Sequence, residues 1–205
     1  MQNNEVRLKI INYIKAISAF LPALFWGTLI LGFEGEYMAF TTVVCALIHE
    51  LGHIAYLVFF APTSHSIKSV VFGLKIRAVR ILSYKDELFL YAFGPLSNLV
   101  FGTLFLILSK RFGDYFSSLS IINFATAISN LLPIDGYDGY GIIRVLLEER
   151  FSGGQILNVL SSVSAAIVFT LCIFSIYLIN RYGGGYWIFI VFFVQMIKHF
   201  QKRLK

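Results

Sequence analysis

Long apolar segments dominate this sequence and limit what it can fold into. About six of them are long enough, or nearly so, to cross a bilayer as helices, at roughly residues 10–32, 38–61, 88–109, 116–134, 155–180 and 184–198. A spanning helix needs about 20 apolar residues. With 58% hydrophobic and 14% charged residues, the composition also lies far from that of a soluble domain. The sequence therefore predicts an all-α, multi-pass membrane protein.

Basic residues between these segments predict an orientation. If both termini lie in the cytoplasm, most of the 17 Lys and Arg residues fall on the cytoplasmic side, and only Lys110, Arg111 and Arg181 fall outside, with Lys15 in the first span. Cytoplasmic loops of membrane proteins are enriched in such residues. We therefore expect a protein of the cell membrane with cytoplasmic termini. The basic residues form no patch suited to nucleic acid, so we expect no nucleic-acid partner.

One connecting loop, residues 62–87, is long enough to form structure of its own. It contains SIKSVVFGLKIRAVRI, with β-branched residues and partial alternation around Gly73. This pattern favours a short β-hairpin at the cytoplasmic face. A basic surface loop that touches anionic lipid headgroups explains the same residues equally well.

The second apolar segment carries three polar side chains in the sequence HELGH, His49 to His53. Ionisable groups at membrane depth are costly and mark functional sites. Residues four apart share one face of a helix, so His49 and His53 can hold one metal ion, and neutral imidazole suits zinc. Glu50 lies beside that face, where it can accept a proton from an activated water. The alternative is a hydrogen-bonded polar cluster that joins helices.

A catalytic zinc usually has three protein ligands, so a third must come from elsewhere. The other acidic residues fall at termini, in loops or beyond the ends of spans, except Asp135 and Asp138 in NLLPIDGYDGYG, where the fourth span breaks. In the expected topology the second and fourth spans run in the same direction, so both sites can lie in the cytoplasmic half of the membrane. The residues alone leave Asp135 and Asp138 both open.

Three motifs resemble those of the site-2 protease family of zinc intramembrane metalloproteases. They are HELGH, then GPLSN from Gly94 to Asn98, and NLLPIDGYDGY from Asn130 to Tyr140. The family's aspartate ligand follows the Asn of the third motif by eight residues, which favours Asp138 over Asp135. Tyr137 and Tyr140 depart from the usual family residues.

This resemblance implies a site and a division of the chain. His49, His53 and Asp138 would bind one Zn²⁺ per chain, Glu50 would be catalytic, and Asn98 and Asn130 would position the substrate near the metal. The alternative for each asparagine is an interhelical hydrogen bond. Residues 1–205 would form a single membrane-embedded metalloprotease domain, with a three-helix core at about 38–145 and flanking helices at 10–32 and 155–198.

The expected function is that of a zinc-dependent intramembrane endopeptidase. Its substrate would be a membrane-embedded or membrane-associated protein or peptide, whose identity the sequence leaves open. The chain has no room for the family's PDZ or regulatory modules, so a membrane partner would supply regulation. A metal transporter would need ligands along several spans, and a non-catalytic peptide-binding protein would have no need of Glu50.

Overall fold

The structure of this chain is a computed structural model that describes residues 35–60, 65–70, 73–78, 83–148, 153–183 and 186–203. In these residues it has six helices and two strands, namely α1 (Glu36–Phe59), β1 (His65–Val70), β2 (Gly73–Ala78), α2 (Tyr84–Phe112), α3 (Asp114–Asn130), α4 (Asp138–Glu148), α5 (Gly153–Tyr182) and α6 (Tyr186–Arg203). The first predicted span, residues 10–32, lies outside the described residues.

The helices have the length and surface of membrane helices. Among the described residues, α1, α2 and the part of α5 from Gly154 to Tyr182 are long and apolar enough to cross a bilayer, and α6 has a shorter apolar stretch, Ile188–His199. Large apolar side chains point outward along them, for example Phe40, Ile107 and Phe169. Such a surface suits lipid, so the chain is a membrane protein. The number of spans and their orientation remain predictions.

Helices α1, α2 and α3 pack at short range because small residues lie between them. A Cβ atom at Gly52 of α1 would overlap the Phe93 carbonyl of α2, and one at Gly102 of α2 would lie 3.1 Å from the Phe124 ring of α3. The Ser97 hydroxyl donates to the Ile48 carbonyl at 2.9 Å, which joins α2 to α1. Small residues let helices in a membrane approach closely.

The start of α2 is fixed to the end of α1. Ser83 caps α2 by accepting a hydrogen bond from the Asp86 N–H at 3.2 Å. The Tyr56 hydroxyl of α1 donates to Asp86 Oδ1 at 2.8 Å. The next residue of α2, Glu87, pairs with Arg144 of α4. These contacts hold α1, α2 and α4 together at one end of the molecule.

The segment between α3 and α4, residues 131–137, forms the aspartate turn. The fourth apolar segment was expected to run to about residue 134, but α3 ends at Asn130, since Pro133 and Gly136 favour a turn there. Ile134 is fully buried against Val168 and Cys172 of α5, and the side chains packed around them include Phe192 and Met196 of α6. The aspartate turn is therefore held by the α5–α6 pair.

Within the 62–87 loop, residues 65–70 and 73–78 form a two-stranded antiparallel sheet, and residues 84–87 already belong to α2. Strands β1 and β2 pair from His65 opposite Ala78 to Val70 opposite Gly73. The strands lie where the sequence allowed either a hairpin or a basic surface loop. Their location at a cytoplasmic face remains a prediction.

Candidate metal centre

His49 and His53 lie on one face of α1, one turn apart, and both are buried. Their Nε2 atoms are 3.3 Å apart. Gly94 of α2 lies directly against both rings, since a Cβ atom there would overlap His53 and lie 2.8 Å from His49 Cε1. The glycine therefore lets the backbone of α2 approach the two imidazoles.

Asp138, the first residue of α4, completes the cluster. Its Oδ2 atom lies 3.0 Å from His49 Nε2 and 3.4 Å from His53 Nε2. A Cβ atom at Gly139 would overlap the Leu131 carbonyl, so the aspartate turn closes tightly on the start of α4. Among the described residues, His49, His53 and Asp138 are the one group of His, Cys, Asp and Glu side chains whose ligand atoms converge, all within 4.8 Å of one another.

Asp135, the other aspartate that the sequence left open, lies outside this cluster. Its backbone N–H donates to the Ser164 hydroxyl at 2.9 Å, and its carbonyl accepts a hydrogen bond from Gln195. Both contacts attach the aspartate turn to α5 and α6. The structure thus brings Asp138 rather than Asp135 to the two histidines.

Hydrogen bonds on the far side of each imidazole determine which nitrogen carries the proton. His53 Nδ1 lies 2.8 Å from the Leu90 carbonyl, and His49 Nδ1 lies 2.8 Å from Asn98 Oδ1. Both partners are acceptors, so each Nδ1 carries a hydrogen and each Nε2 presents its lone pair. These lone pairs face the carboxylate of Asp138. Three acceptors so placed repel one another unless a cation, either a proton or a metal ion, lies between them.

The donor set fits zinc. Two imidazole nitrogens and one carboxylate oxygen match the three protein ligands of catalytic zinc sites, which leave one position open. The ionised carboxylate is the form of Asp138 that would bind a metal.

Glu50 is beside this cluster on α1. It directly follows His49, and it is partly buried. Its role as a base remains a prediction.

The two asparagines predicted to position substrate have different surroundings. Asn98 is fully buried, and its Nδ2 donates to the Cys45 carbonyl at 2.9 Å and to Asn123 Oδ1 at 2.8 Å, while its Oδ1 accepts from His49. These are interhelical hydrogen bonds, the alternative that the sequence had left open. Asn130 is partly exposed at the end of α3, and its Nδ2 donates to the Thr126 carbonyl at 3.0 Å. Contact of either side chain with substrate remains a prediction.

The roles of two residues in this region were not predicted from the sequence. Gly94 was noted only as part of a motif, although its spacing of four from Asn98 places both on one face of α2. Asn123 was not noted at all. Its signal was a single amide in the apolar run of α3, where a polar side chain needs a partner. Cys45, one turn before His49, is buried and contacts Asn123 rather than the cluster.

Taken together, the fold and the cluster define a helical membrane protein with a buried His–His–Asp centre between α1, α2 and α4. Comparison with solved structures gives the Site-2 Protease from Methanocaldococcus jannaschii, with a TM-score of 0.66 and 18% sequence identity, covering 88% of this chain and 87% of that chain. No protein-family model and no curated protein sequence matches. This chain therefore has a site-2 protease-like fold, as its motifs predicted.

Proposed function

We propose that this chain is a zinc-dependent intramembrane endopeptidase. The observation that carries the proposal is the convergence of His49 Nε2, His53 Nε2 and Asp138 Oδ2 in one buried cluster. The likeness in fold to a solved site-2 protease supports the same reaction class. His49, His53 and Asp138 would hold the zinc ion.

The residues around the cluster divide the chemistry between them. A bound zinc would supply Lewis acidity to a water molecule and to the peptide carbonyl. Glu50 would take the proton from the attacking water and deliver it to the amide nitrogen as the C–N bond breaks. This transfer conserves the proton and leaves Glu50 ionised for the next turnover.

A membrane-embedded or membrane-associated protein or peptide is the substrate class that this surface suits. The cluster is buried between helices whose outer faces are apolar, so a substrate would approach it within or beside the bilayer. A helical substrate must unwind locally, because its carbonyls are otherwise hydrogen-bonded within the helix. The distribution of basic residues supports cytoplasmic termini and a centre in the cytoplasmic half. A membrane partner would supply regulation.

The test compares the wild-type chain with Glu50→Gln in detergent or proteoliposomes. Zinc content is measured by mass spectrometry, and cleavage is followed on a panel of tagged single-span membrane peptides. We expect Glu50→Gln to keep its zinc and to lose cleavage by roughly 10²–10⁴-fold, the usual contribution of a general base. Cleavage near the wild-type rate would remove Glu50 from this role. A wild-type chain without zinc would overturn the proposal itself.

A further inference from the structure

Asn123 of α3 is fully buried, and both the nitrogen and the oxygen of its amide form hydrogen bonds. Its Nδ2 donates to the Leu119 carbonyl at 2.8 Å and lies 3.0 Å from Cys45 Sγ. Its Oδ1 accepts from Asn98 Nδ2 at 2.8 Å. A buried amide with partners for both ends is held in one orientation, because turning it over would place donor against donor.

A chain of hydrogen bonds leads from Asn123 through Asn98 to His49, and each donor and acceptor along it is determined by the one before. The Leu119 carbonyl can only accept, so Asn123 presents its oxygen to Asn98. Asn98 uses one N–H for Asn123 and the other for the Cys45 carbonyl, and therefore presents its own oxygen to His49. His49 Nδ1 must then carry the proton, and its Nε2 faces Asp138.

The two histidines differ in how this tautomer is fixed. The partner of His53 Nδ1 is the Leu90 carbonyl, a backbone acceptor that cannot turn over. The partner of His49 Nδ1 is a side-chain amide, and an amide can turn over unless its own N–H groups are satisfied. The Cys45 carbonyl can only accept, so it already favours the observed orientation of Asn98, and Asn123 strengthens this preference by accepting from the second N–H.

We propose that Asn123 is a positioning residue for His49, acting through Asn98. Together with the Cys45 carbonyl, it fixes the tautomer and the ring orientation of one metal ligand from a third helix, without touching the cluster. The proposal rests on the proposed zinc site for its consequence, which is tighter zinc binding. Partners behind a ligating histidine typically change metal affinity by 10–100-fold, and we expect about tenfold for a residue one step further away.

The test uses Asn123→Leu, which has a similar volume and no hydrogen-bonding group, and Ser120→Ala as the matched control. Ser120 is also buried in α3 and donates to the Gly102 carbonyl at 2.8 Å, at the same interface with α2 but away from His49. The first readout is ¹⁵N NMR of the histidine side chains in the metal-free full chain in micelles. The second is the zinc dissociation constant from competition with a chelator.

In the metal-free wild-type chain and in Ser120→Ala, we expect His49 and His53 both to carry the proton on Nδ1. In Asn123→Leu, the Cys45 carbonyl alone orients Asn98. We therefore expect this preference to weaken at His49 while His53 keeps it, and zinc to bind up to about tenfold more weakly. An unchanged His49 tautomer, with the zinc constant of the control, would overturn the proposal.

Two further outcomes are also decisive. If Asn123→Leu does not fold, Asn123→Ser provides the same comparison. The serine side chain is one bond shorter than that of asparagine, so its hydroxyl does not reach the Asn98 amide. If the wild-type chain binds no zinc, the proposed function fails, and the tautomer of His49 in the metal-free chain still decides the role of Asn123. The two failures are therefore distinguishable.

Discussion

The metal centre is held by two regions of different chemical character. On one side, His49 and His53 are surrounded by a polar framework, which we define as Leu90, Asn98, Asn123 and Cys45. On the other side, Asp138 follows the aspartate turn, whose buried contacts are mainly apolar, with Ile134 against α5. Hydrogen bonds orient the histidines, whereas packing places the aspartate. Changes in the two regions should therefore differ in how they affect zinc binding and stability.

The largest loss of zinc affinity should come from substitution of Asp138, the ligand on the apolar side. Asp138→Ala removes one of three protein ligands, and we expect zinc affinity to fall by more than about 100-fold, since structural zinc sites share about 10–16 kcal/mol among their ligands. Asp135→Ala removes a carboxyl outside the cluster and keeps the backbone contacts to Ser164 and Gln195, so it should retain zinc. Chelator competition measures both, and the reverse order would exchange the two aspartates.

Next, the close approach of α2 to the histidines can be broken at Gly94. Gly94→Ala places a methyl group where the rings of His49 and His53 lie, so we expect a loss of stability of about 1–3 kcal/mol and zinc binding weaker by about 10–100-fold. Gly154→Ala is the control, because nothing lies within 4 Å of a Cβ atom there. Equal behaviour of the two variants in thermal unfolding and zinc titration would contradict the packing.

Asn98 distinguishes a role toward His49 from a role toward substrate. Asn98→Leu leaves His49 Nδ1 without its acceptor, and we expect zinc to bind about 10–100-fold more weakly. A role limited to substrate predicts normal zinc affinity with slower cleavage. Zinc titration followed by cleavage at saturating zinc separates the two results.

The smallest effect on zinc, with a large effect on stability, should come from the packing of the aspartate turn. Ile134→Ala removes a fully buried side chain, and we expect the free energy of unfolding to fall by about 2–5 kcal/mol. The polar framework remains intact, so the zinc affinity of the folded chain should change less than in Asn98→Leu. Denaturation in detergent and zinc titration test this contrast. If Ile134→Ala lowered zinc affinity more than Asn98→Leu does, packing would also orient the histidines.

The sequence predicted the two histidines and the glutamate because they share one helical motif. The sequence favoured Asp138 as the third ligand only through the motif spacing of the family. The segment after α3 contains two aspartates, and helical periodicity does not show which of them faces the histidines. Asn123 could not be found this way, because its partner Asn98 lies on another helix and the pairing depends on how α2 and α3 pack. The five predicted spans in the described part of the chain overlap helices, and α3 ends at Asn130, where the segment with the predicted break begins. The approximate bound of residue 134 lies four residues further along, because apolar residues continue into the aspartate turn.

Zinc K-edge X-ray absorption of the purified full chain tests the central claim most directly. The account predicts one zinc per chain, with two imidazole nitrogens at about 2.0–2.1 Å and light oxygen ligands at about 2.0–2.2 Å. The imidazole signal should disappear in a His49→Ala, His53→Ala double variant. A sulfur ligand at about 2.3 Å, or a chain that purifies without zinc and takes up none, would contradict it.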